Sequence, residues 1–239
     1  VKETLIANIR ERLGNLYEPE SYFRIVSQQF ENLGFFKGNT IAGALTCRDE
    51  LCYTLTESIK QYWGNPFILS GLAGIPVCGK SALKAMISHA PTNGDVERYV
   101  FFVFSHIGYD GGKEEGACIR PGRKEMSSAC GALIQFLEML KSGNFDLIPD
   151  PLDWELSYLK LRLLRELPFG RLPTLWELTQ IVVSVSVNDL LRQLSEIVDR
   201  EKVHYAIASA IHIHTSQGDF ILPKDHFAHI EGRRVTLKI

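Results

Sequence analysis

No apolar run in the sequence approaches the roughly 18 residues that a helix needs to cross a bilayer, so no membrane span is expected. No charged-then-apolar leader is read at Val1. Since Val rather than Met comes first, a trimmed or processed chain is the expectation, with any transit peptide already gone. Charge of one sign is also missing: 26 Lys and Arg against 28 Asp and Glu leave −2 at pH 7. A nucleic-acid backbone or an anionic membrane surface therefore finds no positive footprint, and a small substrate is expected. Cysteine is sparse, odd in number at five, and scattered. That argues against a disulfide-stapled secreted domain and for a reducing compartment in which thiols stay free for metal. No internal repeat, low-complexity tract or composition shift marks a second domain, so residues 1–239, 45% hydrophobic, are read as one domain.

What the chain does have is alternation of helical and strand patterns. Helical spacing runs through Glu3 to Leu13 and Pro19 to Leu33, forming an N-terminal arm over about 1–38. A short strand follows at Thr40 to Thr46, a helix at Asp49 to Tyr62, a strand at Phe67 to Ser70, a helix at Lys80 to Ser88 and a strand at Tyr99 to Phe104. Residues 107–125, rich in glycine and without periodicity, read as a long loop of the functional kind. A helix is predicted at Ala132 to Leu140. A helix-rich part over about 150–202 holds helices at Asp153 to Leu167, Thr174 to Val187 and Asn188 to Glu201. Val203 to Thr215 alternates like a half-buried strand, and Gln217-Gly218-Asp219 makes a turn. Strand-helix alternation predicts an α/β fold with a mainly parallel central sheet flanked by helices.

Three residues stand where apolar runs stop. Cys47 closes Ile41 to Thr46, His106 closes Tyr99 to Ser105, and Cys130 sits just before the helix at Ala132. In an open α/β sheet, ligands gather at the carboxyl ends of strands. A helix N-terminus favours the thiolate form of Cys130. Two thiolates and one imidazole supply three of zinc's four tetrahedral ligands and leave one position for water, the composition of a catalytic site. Asp49 can reach the metal or its water from a loop. The bland reading is that Cys47 and Cys130 are small buried hydrophobes and His106 a core histidine. Cys52, Cys78 and Cys118 have no partner pattern and read as packing.

Cys47-Arg48-Asp49 resembles the Cys-x-Asp segment of β-class carbonic anhydrases, and Ala129-Cys130-Gly131-Ala132 their Cys-Gly segment opening a helix. Longer stretches are similar to the limiting-CO2-inducible B/C family, a β-carbonic-anhydrase-like group sometimes called the θ class. These are Leu45 to Glu50, Ser70-Gly71-Leu72-Ala73-Gly74-Ile75-Pro76, Ser105-His106-Ile107-Gly108-Tyr109, and Ile119-Arg120-Pro121-Gly122-Arg123 through Cys130-Gly131-Ala132. The resemblance implies zinc held by Cys47, His106 and Cys130, a dimeric α/β fold, and reversible hydration of CO2 to bicarbonate by zinc hydroxide in a CO2-concentrating system. It implies a homodimer or a hetero-oligomer with paralogues, in a chloroplast stroma if the source is algal and otherwise in the cytoplasm. Two departures from the β-class pattern stand out. The whole segment Ile107 to Ala129 separates the His from the second Cys, and Leu51 occupies the position of the arginine that restrains the Asp. Arg48, Arg120 or Arg123 would have to substitute.

On this reading Asp49, with Arg48 nearby, orients the nucleophile, Leu72, Ala73 and Ile75 line an apolar CO2 pocket, and Tyr109 bonds bicarbonate. His89 passes protons to buffer or stabilises its helix end. Three rivals remain. Gly74 to Ser81 satisfies the phosphate-loop pattern with Lys80, but Pro76 lies inside it and the nearest apolar strand ends in Ser105-His106 rather than in a magnesium-binding Asp. His212 and His214 could share a metal with His226 or His229, or simply face solvent. The chain could also be a weak or inactive family member that serves assembly with paralogues.

Overall fold

The computed structural model describes residues 7, 9–11, 13–93, 96–109, 115–143, 146–199 and 202–239. The helix expected over 3–13 lies partly outside them; residues 7, 9–11 and 13 are helical. Helix α1 (Pro19–Glu31) opens with proline at its first turn and buries Tyr22, Phe23, Val26 and Phe30 along one stripe. In chain order there follow β1 (Ile41–Leu45), a 3-10 turn (Glu50–Cys52), α2 (Tyr53–Trp63), β2 (Phe67–Ile68), a second 3-10 turn (Leu72–Gly74) and α3 (Gly79–Ile87). Then come β3 (Thr92–Asn93), β4 (Val96–Gly108), β5 (Ala117–Ile119), β6 (Met126–Ser128), α4 (Gly131–Ser142), α5 (Trp154–Leu164) and α6 (Leu175–Ile197). Strands β7 (Val203–Thr215), β8 (Gly218–Ile230) and β9 (Arg233–Thr236) complete the fold.

The sheet order is β2-β1-β4-β7-β8-β9, with β3 paired to the start of β4. β2, β1, β4 and β7 are parallel, while β8 and β9 extend the sheet antiparallel. The fold is α/β with a mostly parallel central sheet flanked by helices. Phe102 and Phe104 of β4 meet Phe23 of α1 on one face, where Trp63 of α2 also packs on Phe102. Tyr99, Phe101 and Val103 pack on the other face with Leu83 and Met86 of α3 and Leu190 and Leu194 of α6. Burial on both faces is why β4 reads as an unbroken apolar run.

Four expectations need correction. β4 continues to Gly108, so His106 lies inside the strand rather than just beyond it. The loop read over 107–125 holds β5, which pairs with β6 as a small hairpin; residues 110–114 lie outside the described set. The two helices expected to meet at Val187 and Asn188 are one 23-residue helix, α6, opened by a capping box between Thr174 and Glu177. Asn and Asp disfavour helix interiors when they bond their own backbone, but Asp189 instead receives Arg162 and Tyr158 from α5. Finally, β7 is buried almost throughout rather than half-buried, because its residues feed both apolar clusters of the core. β8 was hidden by Pro223-Lys224-Asp225. The register shifts there between Ala208 and Ala210, and the Ser209 hydroxyl fills the bulge by donating to Asp225 O at 2.9 Å and accepting Asp225 N–H at 3.0 Å.

Candidate metal centre

β1 and β4 run side by side, Leu45 opposite Val103, so their carboxyl ends emerge together. Cys47 lies just past β1, His106 near the end of β4, and Cys130 caps α4 in a left-handed conformation at φ 46 and ψ 78. That conformation is costly for a non-glycine residue and is retained where the surroundings demand it. One ligand atom from each of Cys47, His106 and Cys130 lies within 4.8 Å of the others, and all three residues are buried. The chain thus brings together residues 83 positions apart, as Cys47 and Cys130 are numbered.

The donor set fits a zinc-class cation on one further observation. His106 Nδ1 is 3.1 Å from His214 Nε2, whereas His106 Nε2 is buried without a hydrogen-bond partner among the described residues. A buried polar atom without a partner costs free energy, and a metal satisfies it. The thiols show the same need. Cys47 is drawn down to about 4, foremost by its hydrogen bond with Cys130 and also by His106, against burial. That hydrogen bond, with burial, pushes Cys130 up. Burial works against a charge on His106, but the neighbouring Cys52 and Cys47 outweigh it and raise the imidazole's pKa. Ala73, itself at φ 55, donates its N–H to Cys47 Sγ at 3.3 Å. The next residue, Gly74 at φ 86, lies so close to β4 that a Cβ there would come within 2.2 Å of Phe104 O.

Asp49 caps the 3-10 turn, its Oδ1 accepting Leu51 N–H at 3.1 Å. Arg120 then closes on it as a fork: Nη1 donates to Oδ1 and Nη2 to Oδ2, each at 2.8 Å. The remaining donors of this guanidinium go to Ser127 Oγ, Ser128 O and Glu50 Oε1. All five guanidinium N–H groups therefore have an acceptor. Burial pushes the Asp49 carboxyl up, but Arg120 and the Leu51 N–H outweigh it and hold it at about 2. The arginine missing at Leu51 is thus supplied from the segment inserted between His106 and Cys130, where the β5–β6 hairpin carries both Arg120 and the serines that orient it.

Other residues singled out in the sequence lie elsewhere. Arg48 pairs with Glu155 of α5, which also accepts Leu72 N–H at 3.1 Å, so Arg48 does not restrain Asp49. Arg123 is exposed in the turn after Arg120. Ala73 and Ile75 are wholly buried in the core that includes Cys47 and Cys130, and Leu72 packs against it. The open cavity beside the thiols, about 390 Å³, is lined by residues that include Cys47, Asp49, Cys52, Tyr53, Thr56 and Ile68. Tyr109 follows β4 directly, its N–H donating to His214 O at 2.8 Å. His89 is exposed at the carboxyl end of α3, bonded to Ala85 O and beside the Phe67 ring at the start of β2. That places it toward the opposite edge of the sheet from Cys47.

The rival sites do not assemble. Lys80 pairs with Glu196 at 2.6 Å, and Gly74 is packed on β4 rather than open to a phosphate. His212 and His214 are buried instead of facing solvent. His226 bonds Tyr22 Oη at 2.8 Å and His229 stacks on Tyr205, so neither joins them. The residue that does is Cys52, within 4.8 Å, and Asp219 holds both imidazoles. Sequence reasoning missed Cys52 and Asp219 because their proximity depends on strand order, with β7 beside β4 and β8 beside β7.

A mostly parallel α/β sheet that presents two thiols, an imidazole and an arginine-held aspartate at its carboxyl edge defines a β-carbonic-anhydrase-like protein. The family model for limiting CO2-inducible proteins B/C, beta carbonic anhydrases, matches residues 17–229, and the chain belongs to that family. The crystal structure of limiting CO2-inducible protein LCIB is 28% identical over 97% of both chains, with a TM-score of 0.79. That of PtLCIB4, a homolog of LCIB, is 22% identical over 97% of this chain and 98% of that chain, with a TM-score of 0.81, a likeness of fold. A tetrameric β-carbonic anhydrase from Sordaria macrospora is 15% identical over 92% of each chain, with a TM-score of 0.43. No curated protein sequence matches the chain at a significant level.

Proposed function

We propose that the chain is a zinc-dependent carbonic anhydrase catalysing the reversible hydration of CO2 to bicarbonate in a CO2-concentrating system. The observation that carries this reading is the buried, unpartnered His106 Nε2 grouped with two thiols beside an aspartate gripped by arginine. Cys47, His106 and Cys130 would hold the metal. A zinc ion there supplies Lewis acidity that brings the ionisation of water into the neutral range. Two thiolate ligands work against that shift, and the Ala73 N–H on Cys47 Sγ offsets part of their charge. Asp49, fixed by Arg120, accepts a hydrogen bond from the attacking water and aims its lone pair at CO2. Because the carboxylate is held at both oxygens, it is kept from closing the remaining coordination position itself. The apolar side of the CO2 space falls to Ile68 and Tyr53 in the cavity beside Cys47, whereas Leu72, Ala73 and Ile75, expected there from the sequence, are not among the residues that line it. Tyr109 is the hydrogen-bond partner for bicarbonate.

The same reading takes the working unit as a dimer of this chain or with a paralogue, since Ile148, Leu152, Trp154 and Phe169 leave apolar side chains exposed. Among the described residues no helix is long and apolar enough to cross a membrane. Stopped-flow CO2 hydration by the zinc-loaded chain beside Asp49→Asn tests the catalytic reading. A rate that the variant loses supports it, and equal rates overturn the role of Asp49.

A further inference from the structure

Beside the candidate ligands the sheet carries a buried polar row that no packing requirement explains. β4 and β7 pair with His106 opposite His212 and Gly108 opposite His214, and β8 returns with Asp219 opposite His214. His106 Nδ1 lies 3.1 Å from His214 Nε2, and His214 Nδ1 lies 3.1 Å from Asp219 Oδ1. His212 Nε2 lies 3.0 Å from the other carboxylate oxygen, Oδ2. All three histidines are buried.

The position of every proton in this row follows from what each atom can do. An ionised carboxylate only accepts, so His214 Nδ1 and His212 Nε2 both carry hydrogen. A neutral imidazole protonated at Nδ1 has its lone pair at Nε2, so His214 accepts from His106 Nδ1–H. When His106 is neutral, as a metal ligand must be, its lone pair is then on Nε2, the atom without a partner among the described residues. The neighbouring group Cys52, His212 and His214 is close enough to hold a second ion. However, His214 spends one nitrogen donating and the other accepting, which leaves only Cys52 and His212 Nδ1, too few for a tetrahedral protein site.

We propose that Asp219 and His214 are positioning residues for the metal centre, fixing His106 as its Nδ1–H tautomer and holding its ring so that Nε2 presents a lone pair to the cation. The inference rests on Cys47, His106 and Cys130 being the ligands, and it does not depend on the chain hydrating CO2. Partners that orient a metal-bound histidine commonly contribute about 10–100-fold in affinity. In Asp219→Asn the NH2 group replaces one of the two oxygens, so in the present geometry it meets one histidine N–H donor to donor. In His214→Leu the acceptor for His106 is gone, whereas His214→Gln keeps a carbonyl oxygen that can replace it.

The test is zinc affinity by chelator competition for parent, Asp219→Asn, His214→Leu and His214→Gln, with circular dichroism to establish folding. It is joined to nitrogen-15 NMR of the histidine rings in the zinc-loaded parent, where a metal-bound imidazole is neutral. Expected are a loss of about 10–100-fold in Asp219→Asn and His214→Leu, partial recovery in His214→Gln, and His106 carrying its proton on Nδ1. Equal affinities in folded variants, or a His106 proton on Nε2, would overturn the proposal. A parent that binds no zinc overturns both this inference and the metal reading. A parent that binds zinc but does not hydrate CO2 sinks the catalytic reading alone, and the affinity ratios still decide the role of Asp219.

Discussion

Arg120 grips Asp49 from 71 residues away, one guanidinium nitrogen on each carboxylate oxygen at 2.8 Å. The pair is largely shielded from solvent, with side-chain exposures of 15% and 10%, so it is screened far less than a surface ion pair. Arg120→Leu should therefore release the carboxylate toward the metal. The expected outcome is retained zinc with CO2 hydration reduced by about 100-fold or more, the scale on which small misplacements cost rate. An unchanged rate would remove Arg120 from the catalytic arrangement.

Two of the buried histidines, His212 and His226, contribute a pH dependence of definite sign to stability. Burial lowers His212 and His226 from 6.5 to about 4, so the fold keeps both neutral. Between those values the unfolded chain binds protons that the folded chain does not. Their contribution to stability is therefore full above 6.5 and falls as pH drops toward about 4, by up to about 1.4 kcal/mol per pH unit for each histidine. Urea unfolding across that window measures the slope. His226→Gln, which keeps a polar group for Tyr22, should flatten it.

Arg48 spends its charge on Glu155, and its side chain is 55% exposed. Arg48→Ala should change the unfolding free energy by less than about 1 kcal/mol and leave zinc content unaltered. Denaturant titration with metal analysis checks this. A large loss of zinc would place Arg48 at the metal centre after all.

Lys80 is held by Glu196 on α6 rather than turned into a phosphate cradle. Neither the parent chain nor Lys80→Ala should show saturable ATP binding by calorimetry. Binding in the parent that the variant abolishes would revive the nucleotide reading.

How much of this was legible in the sequence differs by element. β1, α3, β4 and α4 could be read because each carries its own apolar period and its own terminal signals. Cys47 and Cys130 were visible for the same reason, standing at the ends of such elements. Arg120 could be narrowed to three arginines but not chosen, since the choice depends on how the β5–β6 hairpin folds back on Asp49. α6 was divided in two because Asn188 and Asp189 look like helix breakers unless the partners on α5 are known. His212 and His214 were noticed, as a metal pair with His226 or His229 or as a solvent face, but their actual partners were not. Their shared partner Asp219 comes from β8, and β8 is disguised by Pro223 and its bulge. Local structure is written locally, whereas the neighbours of a strand are not.

The central claim is tested most directly by measuring zinc content and stopped-flow CO2 hydration on the same preparation, parent beside Cys47→Ser. The account predicts stoichiometric zinc and a measurable hydration rate in the parent, both diminished in the variant. A folded parent with neither zinc nor rate would contradict it.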